Sequence, residues 1–235
     1  MELFEDDLIN SAESDYGELD DLLEKLEAIS PQARDDAHHA LLYGFSEHSP
    51  ARPPLAAIRR FVRKILAAPE KAGQIRTDRI DPDTEQVQIA AWKVIREFDR
   101  LRGLLRFSPE PAVYGKAAVN SESMRYTARC APDHFVLLLL ADHFFLRFGS
   151  TSWAIIDEKR NLIVAGENGK TPVLRKLDQE PAAVVSGAEQ VSAGDEWENL
   201  WKNYHRSINN EDRANPELQK QFMPRRYWKY LPELQ

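Results

Sequence analysis

Residues 131–166 read APDHFVLLLLADHFFLRFGSTSWAIIDEKRNLIVAG, and the order of textures within them decides the fold. Asp133 stands where a helix N-cap would. The apolar run that follows reaches Phe148, and Gly149 then offers the left-handed residue that commonly closes a helix. Two extended runs come next, Trp153–Asp157 and Leu162–Ala165, joined by the turn-forming DEKRN. Further short runs of the same kind are Leu104–Phe107, Ser123–Cys130 and Thr171–Arg175, the last set off by the turn GENG. The spacing predicts a small, mostly antiparallel sheet packed on one long helix, within residues 103–178.

Upstream, residues 19–102 read as a helical region. Leu19, Leu22, Leu23 and Leu26 recur at helical spacing and predict a short helix ending near Ile29. Ser30 as N-cap with Pro31 at the first helical position opens a second helix, through His38 and His39 to Phe45. Pro50, Pro53 and Pro54 break the chain before a third, Leu55–Ala67. The strongest signal spans Asp83–Leu101, where Val87, Ala91, Val94, Ile95, Phe98 and Leu101 form one apolar stripe. Downstream, residues 179–194 read as an Ala-, Val-, Ser- and Gly-rich linker. Residues 195–235 read as a helical cap whose Trp197, Leu200, Trp201, Tyr204 and Ile208 share one face, taken as core. Residues 1–18 read as a flexible acidic leader. The expected class is α+β: an N-terminal helical region, the sheet with its helix, and a C-terminal helical cap.

With 43% hydrophobic and 29% charged residues among 235, the chain has the balance of an ordinary globular protein. Cys130 is its only cysteine, which excludes an internal disulfide framework, a cysteine-built zinc site and an iron–sulfur cluster held by this chain alone. Neither a cofactor nor a metal is expected. The acidic N-terminus is unlike a signal peptide, and the apolar run Phe135–Ala141 is far too short to span a bilayer. A cytoplasmic protein with no membrane partner is the expectation. Charge is unevenly spread: Met1–Asp36 carries a net of −11, leaving +4 on the remaining residues of a chain at −7. A mildly basic body therefore follows the acidic leader, a weak pull toward polyanions.

GENGKT at 166–171 fails as a phosphate-binding loop, because position 164 is Val where that loop needs Gly, and Pro172 stands where its helix should start. Two Asp-His pairs, Asp133-His134 and Asp142-His143, are the candidates for acid–base chemistry, with Asp157 as a further carboxylate. On a straight helix nine residues turn about 900°, so His134 and His143 would face opposite ways and share no metal. The chain reads as non-catalytic in preference to an enzyme.

Basic residues cluster more suggestively. Lys93, Arg96 and Arg100 form a ridge at i, i+3 and i+7, and Arg59, Arg60, Arg63 and Lys64 give the preceding helix a similar edge. Lys202, His205 and Arg206 lie beside the Trp/Tyr stripe, and Arg225, Arg226 and Lys229 interleave with Tyr227 and Trp228 in PRRYWKY. Interleaved cations and rings are how single-stranded nucleic acid is gripped. The plainer alternative is a terminal helix docked on the core by its aromatics.

LWKNYHRSI…NPELQKQFMPRRYWKYLPE resembles the C-terminal signature of a bacterial family placed in DNA metabolism or repair, with no reaction assigned to it. APDHFVLLLLADHFFLRFGSTSWAIIDEKRNL and REFDRLRGLLRF resemble its middle segments, and the similarity covers roughly Leu41 to Glu233. The resemblance implies a role in DNA repair or modification, since such proteins are encoded beside a radical-SAM protein and the domain also occurs fused to a uracil-DNA glycosylase-like domain. This chain lacks the three clustered cysteines of a radical-SAM enzyme and the fused domain, so a partner would perform that chemistry. It also opens with the acidic leader where the family has a glycine-containing, strand-like segment.

Three expectations follow. The first is an accessory protein that binds single-stranded or damaged DNA, or presents it to a radical-SAM or glycosylase-type partner. The second is a DNA-processing hydrolase built on His134 or His143 with Asp133, Asp142 or Asp157. The third is a pure protein-interaction adaptor, since Trp, Tyr and Arg also dominate interface hot spots.

Overall fold

The structure is a computed structural model that describes residues 13–44, 52–111, 124–167, 169–177, 192–210 and 215–234. The chain forms two compact units, one of Met1–Phe98 with Asp133–Val136, the other of Asp99–Pro132 with Leu137–Gln235.

The first unit is helical. It comprises α1 (Glu13–Ile29), α2 (Pro31–Leu41), α3 (Leu55–Ala67), the short α4 (Ala72–Thr77) and α5 (Pro82–Leu104) up to Phe98. Leu19, Leu23 and Leu26 of α1 meet Ala37 and Ala40 of α2 and Ile58, Phe61 and Ile65 of α3 in one buried cluster. Ser30 caps α2, its hydroxyl accepting from Ala33 N at 3.3 Å, with Pro31 behind it as expected. Helix α3 has the predicted bounds. Two expectations need correction. Residues 13–18 belong to α1 and are not part of a flexible leader, while residues 1–12 of that leader lie outside the described residues. Helix α2 stops at Leu41, short of the predicted Phe45, and the chain turns through Gly44 at φ 62°, a conformation that favours glycine.

The second unit holds a five-stranded sheet in the order β1 (Ser108–Pro111), β2 (Met124–Cys130), β3 (Trp153–Asp157), β4 (Leu162–Gly166), β5 (Val173–Lys176). Among the described residues three of the four pairings are antiparallel, and only β2 with β3 is parallel. That parallel pair is joined through α6 (Leu137–Phe148), which packs on β3 and β4. The class is α+β, a small mixed sheet with its long helix. All five β3 residues are buried, as suits a central strand covered on both faces. Gly166 is paired with Trp153 in the β3–β4 ladder, and a Cβ on Gly166 would meet the indole at 2.6 Å. Glycine there admits the ring.

The predicted strand Leu104–Phe107 is not formed. The Leu101 carbonyl accepts from Leu105 N at 2.9 Å, so the helical stripe of α5 continues and strand β1 starts only at Ser108. Asp133 is likewise no N-cap, because α6 begins at Leu137. The buried Glu97 carboxylate accepts from Asp133 N at 2.9 Å and His134 N at 2.7 Å, satisfying the two amides outside any helix.

After the predicted linker, whose residues 179–191 lie outside the described residues, come α7 (Ser192–Ile208) and α8 (Pro216–Phe222). Two 3₁₀ turns follow, Arg225–Tyr230 and Pro232–Leu234. Helix α7 packs on β1 and on the last turn. No helix among the described residues is long and apolar enough to cross a membrane.

Candidate nucleic-acid interface

The aromatic-basic tail is first of all a docking segment. Tyr227 and Leu231 are buried, and Trp228 Nε1 donates to the Met223 carbonyl at 2.7 Å. Tyr230 OH donates to Glu158 at 2.5 Å, and Lys229 Nζ reaches the same oxygen at 3.1 Å. Burial works to raise the Glu158 carboxyl, but the bonds from Tyr230 and Lys229 outweigh it and hold the group below its ordinary range. Burial and the same carboxylate push the Tyr230 phenol up, which keeps it a donor. Glu233 closes the tail, accepting from Arg106 Nη2 at 2.6 Å and Trp201 Nε1 at 2.9 Å.

This docking sorts the tail residues named from the sequence. Tyr227, 1% exposed, cannot stack on a base, and Trp228 is half-buried. Arg226 lies over the Tyr227 ring and donates to its hydroxyl at 2.9 Å, while Lys229 is shared with Glu158. Arg225 is exposed, its guanidinium 5.8 Å from the Trp228 ring centroid.

Beside the tail, α7, α8 and the last turn enclose an open cleft of about 660 Å³. Three basic residues named from the sequence, Lys202, His205 and Arg206, line it together with Asn209, Asn215 and Gln219. Leu218 and Phe222 give the cleft an apolar side, both about half exposed. The apolar face of α7 was expected to be core. Instead Leu200, Tyr204 and Ile208 are 58%, 52% and 60% exposed, and Trp201 is fixed by Glu233 and by Arg106 over its ring. The side chain of Trp197 lies outside the described residues. Amphipathic spacing shows that residues share a face, not that something covers it.

Three cations of the basic edge of α3 are neutralised. Arg60 grips Asp83 through both of its oxygens, Lys64 binds Asp81 at 2.5 Å and Asp83 at 2.8 Å, and Arg63 pairs with Glu18. Arg60 above all, then Lys64, holds the Asp83 carboxyl down to about 2.

Of the Asp and His candidates, Asp157 and His134 have structural partners. Asp157, fully buried, accepts from Lys159 N at 3.0 Å and Arg160 N at 3.3 Å and pairs with the Arg160 guanidinium at 2.8 Å, shaping the DEKRN turn. Burial still pushes its carboxyl up, with Arg160 acting against the shift. Asp142 is exposed. His143 sits edge-on to Phe144, and burial, then Arg102 and Arg147, lowers its pKa. His134 lies outside α6, so the opposite-faces geometry expected for the two histidines does not apply. Its Nδ1 accepts from Gly44 N at 3.1 Å and its ring stacks on Tyr43 at 4.7 Å. Among the described residues no group of three or more His, Cys, Asp or Glu could hold a metal.

A family described as a domain of unknown function, DUF4130, matches residues 55–233. The chain belongs to the DUF4130 family. No curated protein and no solved structure matches it. The DUF4130 match opens on the first residue of α3 and closes within the last 3₁₀ turn, so α1 and α2 precede it while sharing the same buried cluster.

Within the DUF4130 region the stretches that carried the sequence resemblance meet physically. Glu97 of REFDRLRGLLRF anchors the PDH segment through two backbone bonds, and Glu158 of DEKRN anchors the tail. Of the ridge on α5, Lys93 Nζ lies 3.3 Å from Tyr43 OH, Arg96 covers the Trp92 ring at 4.6 Å, and Arg100 is half-buried. Trp92, 56% exposed, was missed in the sequence. The available signal was its place off the apolar stripe of α5.

Proposed function

We propose that this chain is a cytoplasmic accessory protein of DNA metabolism that holds single-stranded or damaged DNA in the C-terminal cleft. In this reading it presents the strand to a radical-SAM or glycosylase-type partner that performs the chemistry. The observation that carries the proposal is the convergence of Lys202, His205 and Arg206 with three amide side chains and the exposed Phe222 ring in one open cleft. Cations that follow a backbone, beside a ring that takes a base, suit a single strand without sequence readout. Arg225, exposed on the tail, adds a further phosphate contact. The partner's chemistry rests on the sequence resemblance. The structural duties of Asp157 leave the hydrolase reading without support from geometry.

Fluorescence anisotropy with labelled single-stranded and duplex DNA at two salt concentrations tests the proposal. Salt-sensitive binding is expected. A Lys202→Ala/Arg206→Ala variant should bind more weakly, with a log–log salt slope shallower by about two. Unchanged affinity in that variant overturns the reading. The adaptor reading has its own support in the exposed Leu200, Ile208 and Leu218, which would give a protein interface with little salt dependence.

A further inference from the structure

We infer that the first unit carries a second, separate single-strand contact on α5, with Trp92 as its stacking ring. Tryptophan is mostly buried in proteins, yet Trp92 is 56% exposed and Ile89, one turn earlier, is 47% exposed. Arg96, a turn later, lays its guanidinium 4.6 Å from the indole centroid, which holds the ring in place and sets a positive charge against it. Lys93 points to Tyr43, 3.3 Å from its hydroxyl. His134 stacks on the Tyr43 ring at 4.7 Å, its Nδ1 accepting from Gly44 N.

An exposed ring with two cations beside it is complementary to a base flanked by phosphates. The charges within a turn of Trp92 are positive, since no Asp or Glu occurs from Gln86 to Arg96, and that suits a polyanion. The basic edge of α3 offers a contrast, since its Arg60, Arg63 and Lys64 face Asp81, Asp83 and Glu18. The inference shares its ligand class with the reading of the C-terminal cleft but stands on different residues.

The test titrates a short fluorescein-labelled oligothymidylate at low salt into four proteins: wild type, Trp92→Ala, Trp92→Phe and Lys202→Ala/Arg206→Ala. Trp92→Ala is expected to raise Kd roughly 5- to 150-fold, the loss of one stacked base. Trp92→Phe, which keeps a ring, should recover most of that loss. If Trp92→Ala binds as tightly as wild type while the cleft variant weakens, this inference falls and the cleft reading stands. If Trp92→Ala weakens binding and the cleft variant does not, the cleft reading falls and this one stands. Wild-type affinity in all variants, or no binding by the wild type, overturns both. Equal losses in Trp92→Ala and Trp92→Phe also overturn the stacking role.

Discussion

Helices α3 and α7 look alike in sequence and end in opposite circumstances. Each has an apolar stripe and a row of cations. In α3 the stripe of Ala57, Ile58, Phe61, Val62 and Ile65 is buried, and Arg60, Arg63 and Lys64 are matched by carboxylates. In α7, Leu200, Tyr204 and Ile208 stay half exposed or more, and Lys202, His205 and Arg206 line an open cleft. The difference separates a helix that completes a core from one that presents a surface. Amphipathicity is common to both, and only the neighbours decide between them.

The sharpest way to break the comparison is by truncation. Phe61→Ala, at a fully buried site, is expected to cost about 3–5 kcal/mol in chemical denaturation. Next comes the anchor that does hold α7. Glu233→Ala leaves Arg106 and Trp201 without their acceptor and is expected to cost about 1–3 kcal/mol, read as faster amide exchange in the tail.

The matched charges of α3 give a smaller, pH-dependent effect. Asp83 has its folded pKa held down to about 2, below the unfolded value near 4. Its contribution is therefore present above pH ~4 and is lost as pH falls through about 2. Arg60 is half exposed, so solvent screening keeps the contribution small. Asp83→Asn should flatten the stability profile over that window, and an unchanged profile would show that the pairing contributes nothing. Smallest of all, Ile208→Ala is expected to fall within about 0.5 kcal/mol of wild type. A cost approaching that of Phe61→Ala would mean that the α7 face is packed in solution, and the contrast between the two helices would vanish.

Local pattern was enough where neighbours in sequence are neighbours in space. Helix α3, strand β3 and the Ser30 cap stand where apolar period and capping chemistry place them. The grouping of Lys202, His205 and Arg206 was legible too, since positions three and four apart share a helix face. What was hidden depends on distant partners. Glu97, 36 residues upstream, takes the Asp133 amide and moves the start of α6. The carboxylates that neutralise Lys64 lie 17 and 19 residues away. Tyr227 reads as an available ring until the tail is docked.

The lone parallel pairing, Tyr126–Cys130 against Trp153–Asp157, also sets an order of events during folding. The β3–β4 hairpin closes over the four-residue turn EKRN and can form in about 1–10 μs. The β2–β3 ladder must wait until the chain through α6 has returned, because the loop entropy of a crossover is met before its contacts form. The hairpin with α6 is thus the expected nucleus of the second unit, which would show as earlier amide protection in β3 and β4 than in β2.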